Sequence, residues 1–77
     1  MSAAPVVSAR VLMRLLRTLG FVETRSRGSH RRFAHADGRK TTVPVHRGRD
    51  LPRGLLRQIV TLDVGISMEE FVDLLRG

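Results

Sequence analysis

Residues 21–45 read FVETRSRGSHRRFAHADGRKTTVPV, and the punctuation of this stretch decides what kind of domain the chain builds. Phe21 to Arg25 is short and holds Val and Thr, residues that suit a pleated strand. Ser26-Arg27-Gly28 reads as a turn and Ser29 to Ala34 as a second strand. Asp37-Gly38 is a strong hairpin signal. Lys40 to Val45 then reads as a third strand, where Pro44 has no N–H for a ladder and marks a free edge or a strand end. Connections this short force an antiparallel meander.

The flanks read as helices. Before the strands, Ser8 can cap a helix, and Val11, Leu12, Leu15, Leu16 and Leu19 recur at helical spacing. Arg10, Arg14 and Arg17 fall on the opposite face, and Gly20 supplies a stop. The spacing predicts a helix over about Ala9 to Leu19. After the strands, Asp50 is expected to cap a second helix with Pro52 in its first turn. Leu51, Leu55, Ile59 and Leu62 share its apolar face, and Gly65 ends it. Ser67-Met68-Glu69-Glu70 has capping-box spacing, with Met68, Phe71, Val72 and Leu75 as the apolar side of a short last helix.

The expectation is therefore one α+β domain spanning residues 1–77, with residues 1–7 a frayed tail. A three-stranded antiparallel sheet carries its helices on one face and leaves the other bare.

Composition narrows the function. The chain has 77 residues and a formal charge of +7. Between Arg25 and Arg57 lie ten bases and two acids, a net +8, so the excess sits in the strands and their loops. A polyanion partner is expected there. A domain this small has a thin core and no room for a deep pocket. Cysteine is absent, which fits a cytoplasmic protein. Three histidines with no matching carboxylate pattern make a poor metal site, so neither a metal nor a small-molecule cofactor is expected. The longest apolar runs fall far short of a membrane span, and no membrane partner is expected.

Strand alternation picks out the candidate site. Phe33 should point at the helices, so His30, Arg32 and Ala34 face the other way. Val43 and Val45 go to the core; Thr42 and Pro44 go to the open face, with His46 beyond them on the same parity. Arg31 shares the parity of Phe33 and must reach the sheet edge by its stem. Gly28 lets the backbone approach a ligand, and Ser29 offers a hydroxyl. Arg27, Arg31 and Arg32 can hold phosphate bidentately; Lys40 adds a further cation. His30 can serve as a general base, with His46 and Ser29 as candidate support, and Arg27, Gly28, Arg31, Arg32 and Lys40 are candidate nucleic-acid-binding residues. His35, beside the hairpin, is given no role. No acid is spaced to orient a Ser-His pair, so a hydrolase triad is not expected. No glycine-rich phosphate loop precedes a helix.

Leu19-Gly20-Phe21, Gly28-Ser29-His30 followed by Phe33, Val43-Pro44-Val45-His46, Asp50-Leu51 and Gly65-Ile66-Ser67 with Glu70-Phe71 together resemble the HicA family, the toxins of HicA–HicB toxin–antitoxin modules. The likeness runs from about Val11 to Leu75, and the Gly-Ser-His plus Val-Pro-Val-His pair is its most specific part. The resemblance implies a double-stranded-RNA-binding-domain-like α-β-β-β-α fold, here with a short extra C-terminal helix. It also implies cleavage of mRNA and neutralisation by a HicB-like antitoxin, with His30 as the catalytic histidine. The expected chemistry is metal-independent. A non-catalytic RNA-binding module of the same fold is the alternative. A DNA-binding regulator fits the strand-centred charge less well, and a pure protein-interaction partner, its bases meant for an acidic protein, is a further rival.

Overall fold

The computed structural model describes residues 5–77. Helix α1 spans Ala9–Thr18, strand β1 Val22–Glu23, β2 His30–Ala34 and β3 Lys40–Pro44. Helix α2 spans Arg53–Gln58 and runs on as a π-helical segment over Ile59–Val64; α3 spans Met68–Leu75. The architecture is the α+β arrangement expected, with one antiparallel sheet in the order β1-β2-β3.

The apolar stripe of α1 buries Leu12, Leu15 and Leu16. They meet Phe21, Phe33 and Val43 from the sheet layer, Leu56, Ile59 and Val60 from α2 and its extension, and Phe71 from α3 in a single core. Ser8 caps α1 by accepting the Val11 N–H at 3.2 Å, and Ser67 caps α3 by accepting the Glu70 N–H at 3.0 Å. Burying the three Phe rings and their aliphatic neighbours is what holds so thin a domain together.

β2 and β3 pair His30↔Pro44, Arg31↔Val43 and Phe33↔Thr41. The backbone groups of His30 bond towards Arg27, so those of Arg31 and Phe33 bond towards β3. Pro44 therefore turns its nitrogen to the outer edge, where β3 has no neighbouring strand among the described residues, and no ladder bond is lost.

Three details differ from the sequence reading. Asp50 does not cap α2. The helix starts at Arg53 behind Pro52, with no side-chain cap, because a residue before proline is held out of the helical region. Extended chain at Asp50 and Leu51 pairs instead with the segment before α1: Asp50 bridges Ser8, and the Leu51 N–H donates to the Val7 carbonyl at 2.9 Å. Val7, expected in a frayed tail, is consequently buried; residues 1–4 of that tail lie outside the described residues.

The second difference is Leu62, expected on the buried face yet 72% exposed. The wider π turn rotates the inward stripe onto Val60 and Val64, and the Gly65 N–H reaches back five residues to the Val60 carbonyl at 2.9 Å. Thr41, buried, fixes this segment to β3 by donating its hydroxyl to Asp63 Oδ2 at 2.8 Å.

The third difference lies in β1. It is shorter than Phe21 to Arg25, because Phe21 enters the core and the strand breaks after Glu23. No helix among the described residues is long and apolar enough to cross a membrane.

Candidate functional site

The break in β1 is a bulge. Between the pairs Glu23↔Phe33 and Arg27↔His30, the first strand carries Thr24, Arg25 and Ser26, while β2 carries only Arg31 and Arg32. One extra residue reverses the parity of everything after it. Glu23 stands on the helix side with Phe33, so unbroken alternation would put Arg27 there too. The bulge puts Arg27 opposite His30 on the bare face.

Ser26 makes the bulge affordable. Its hydroxyl accepts the Arg32 N–H at 3.3 Å, the donor left without a ladder carbonyl, and donates to Glu23 Oε2 at 2.7 Å. Glu23 also receives Arg31 at 3.0 Å and Arg17 at 3.1 Å. The Ser26 hydrogen bond, then the Arg31 and Arg17 guanidinium groups, hold its carboxyl below the ordinary value of 4.5.

The turn sits one residue later than the sequence suggested, on Gly28-Ser29. Arg27 and His30 exchange both backbone hydrogen bonds across it, at 2.8 and 2.9 Å. Gly28 has φ +52° while Ser29 keeps a negative φ, the pattern of a type II′ hairpin turn. The Ser29 carbonyl accepts the Val45 N–H at 2.7 Å and ties the turn to the end of β3.

His30 is exposed, and neither ring nitrogen bonds to another described residue. Arg32 follows on the same face, about 7 Å along the strand, and is also exposed. A shallow groove of about 630 Å³ crosses this bare face over Thr24, Arg32, Lys40 and Thr42 and continues round the β3 edge to Leu55 and Gln58. So Arg27, His30, Arg32 and Lys40 share one surface, as parity predicts for all but Arg27. Ser29 is exposed at the turn tip.

Two candidate residues lie elsewhere. Arg31 faces the helix side, as its parity requires, and is ion-paired to Glu23. His46 leaves the strand alternation because β3 ends at Pro44 and the chain turns there; the His46 carbonyl accepts the Arg49 N–H at 3.0 Å. His46 lines a separate groove with Arg31, Val45 and the start of α1. It does not continue the bare face beyond Pro44.

His35 is a structural residue. Its Nε2 bonds the Leu19 carbonyl at 3.1 Å, and its Nδ1 accepts the Asp37 N–H at 3.1 Å. The two bonds fit the Nε2–H tautomer. Its ring packs edge-on against Phe21, with centroids 5.1 Å apart. With both nitrogens committed, His35 joins the end of α1 to the β2–β3 hairpin and has nothing left for a ligand.

The sequence reading missed Ser26 and Glu23, which build the bulge. A Ser two residues before a Gly turn is the only sign of the first, and Glu23 is the single acid among seven bases from Arg10 to Arg32.

No curated protein matches the chain. The sequence model described as the HicA toxin of bacterial toxin–antitoxin modules matches residues 9–66, about three quarters of the chain, from α1 to the turn after the π segment. The matched span contains the Gly28-Ser29-His30 turn, the bulge and the whole sheet, and the chain belongs to the HicA toxin family.

Proposed function

We propose that this toxin is a metal-independent endoribonuclease that cleaves mRNA with His30 as general base. The observation that supports the reading is an exposed imidazole with no hydrogen-bond partner among the described residues, set across a two-residue turn from Arg27 and on the same face as Arg32. An imidazole nitrogen of His30 takes the proton from a ribose 2′-OH. The freed oxygen attacks the adjacent phosphorus, and the bond to the 5′-oxygen of the next nucleotide breaks. That oxygen takes up a proton from water, since His46 lines a separate groove. The products are a 2′,3′-cyclic phosphate and a free 5′-OH. Arg27 and Arg32 offset the charge that builds on the phosphate oxygens, and Lys40 extends the cationic surface. Gly28 and Ser29 keep the turn slim enough for the backbone of the RNA to reach the ring.

General acid–base help is worth about 10²–10⁴-fold, so the toxin is a modest enzyme. His30→Ala should lower cleavage of RNA by about that factor while leaving the fold intact, because the ring holds nothing in place. Full cleavage by the purified variant removes His30 from the mechanism, and binding of RNA with no cleavage by the parent chain makes this a non-catalytic RNA-binding module. Cleavage that EDTA abolishes and only a divalent ion restores refutes the metal-independent route.

Neutralisation is by a HicB-like antitoxin whose acidic surface docks on the same basic face, with charge attraction speeding the encounter. Charge reversal at Arg27 and Arg32 should slow that association; unchanged rate and affinity would place the antitoxin elsewhere.

A further inference from the structure

We infer that the groove between the loop 46–50 and the start of α1 is a second RNA-binding site, which grips the sugar–phosphate backbone flanking the phosphate addressed by His30. The inference rests on the ribonuclease reading and adds a substrate path to it. The groove has a volume of about 620 Å³, and Arg10, Arg31, Arg47 and Arg49 line it together with His46 and one acid, Asp50. Arg31 is held by Glu23, which leaves the guanidinium groups of Arg10, Arg47 and Arg49 around one cleft to match phosphate oxygens, which they can hold bidentately.

Its walls are fixed before any ligand arrives. The His46–Arg49 turn is closed by a hydrogen bond of 3.0 Å, with Gly48 at φ +76° in the third position of a type II turn. The Ser8↔Asp50 bridge and the bond from the Leu51 N–H to the Val7 carbonyl stitch that loop to the segment entering α1. Arg47 and Arg49 are exposed, and among the described residues neither they nor Arg10 form an ion pair.

Arg10 adds an independent sign. It stands in the first turn of α1, which has no acidic residue. A cation at the positive end of the helix dipole costs stability, so the position serves something other than the helix. Continuity with the His30 face is the last observation. His30 pairs with Pro44, and Arg31, the next residue on β2, faces the groove. Val45 and His46, which follow Pro44 in the chain, line the groove, so one strand of RNA can pass from the ring past the end of β3 and into the cleft.

The probe is a single-stranded oligonucleotide of about twelve nucleotides with 2′-O-methyl sugars, which the proposed chemistry cannot cut. Its affinity for the full chain is measured by fluorescence anisotropy across a salt series. Arg47→Ala/Arg49→Ala should bind about tenfold more weakly, with the slope of log affinity against log salt reduced by about 1.4, two phosphate contacts at ~0.7 each. Arg10→Ala should lose RNA affinity while its unfolding midpoint holds or rises, opposite directions that a structural role would not give. Unchanged affinity and slope in the double variant overturn the groove and leave His30-dependent cleavage standing. Unchanged RNA affinity with weakened antitoxin binding assigns these arginines to the protein partner and overturns the inference equally. Failure of the parent chain to bind the oligonucleotide overturns the groove, while cleavage of unmodified RNA still judges His30 separately.

Discussion

Arg27 and His30 face each other across Gly28-Ser29, each donating its backbone N–H to the other's carbonyl. The guanidinium is thereby tied to the imidazole by the shortest hairpin connection a chain can make. Under the ribonuclease reading, Arg27→Ala should lower kcat/KM by about tenfold, a small effect for a transition-state cation because the site is open to water and salt. Arg27→Lys should recover only part of it, since an ammonium lacks the planar fork. Steady-state cleavage of a short RNA checks both; equal rates in all three proteins would leave Arg27 without a part in the chemistry.

The Glu23 carboxylate, held by Ser26, Arg31 and Arg17, makes the bulge sensitive to acid. Its folded pKa is lowered from 4.5, so its contribution to stability is present above the unfolded value and is lost as pH falls through the folded one. Glu23→Gln should be less stable than the parent at neutral pH, with the gap closing as pH drops below the ordinary carboxylate range. Urea midpoints over a pH series measure this. A gap that stays constant would mean the ionised form contributes nothing.

Two histidines should part company under mutation. His35→Ala removes the bond to the Leu19 carbonyl and the edge contact with Phe21, at a cost of about 1–3 kcal/mol in unfolding free energy, yet the folded variant should still cleave RNA. His30→Ala should do the reverse. Thermal melts paired with cleavage assays separate the two; loss of cleavage by well-folded His35→Ala would contradict the assignment.

Thr41→Val keeps the shape of a buried side chain and deletes the hydroxyl that donates to Asp63. The remaining carboxylate loses a partner at the join between β3 and the π segment. Stability should fall by about 1–2 kcal/mol, read from chemical unfolding, and a neutral result would show that water replaces the hydroxyl without loss.

The sheet was legible because one residue sets its parity. Phe33 is the only large apolar side chain in its strand, so the placement of His30, Arg31 and Arg32 follows from alternation alone. The Asp37-Gly38 hairpin and the two serine caps were legible for the same reason, since each is a local rule about a few adjacent atoms. The bulge was not, because an extra residue in a strand has no composition of its own and is recognised only against its partner. Asp50 misled because capping chemistry was weighed without the restraint that Pro52 places on Leu51. Leu62 misled because the inward stripe was projected at 3.6 residues per turn through a segment that turns more widely. His46 was extrapolated along a strand that had already ended. The groove beside α1 joins residues far apart in the chain, and no spacing within one segment could have pointed to it.

Pro44 carries a consequence for the protein at high concentration. An exposed final strand invites another chain to dock alongside it and extend the sheet from one molecule into the next. Here the incoming strand would meet a missing donor at Pro44 and the charged side chain of Lys40 at the other end, so growth into fibrils is discouraged at the rim where the edge would otherwise be most open.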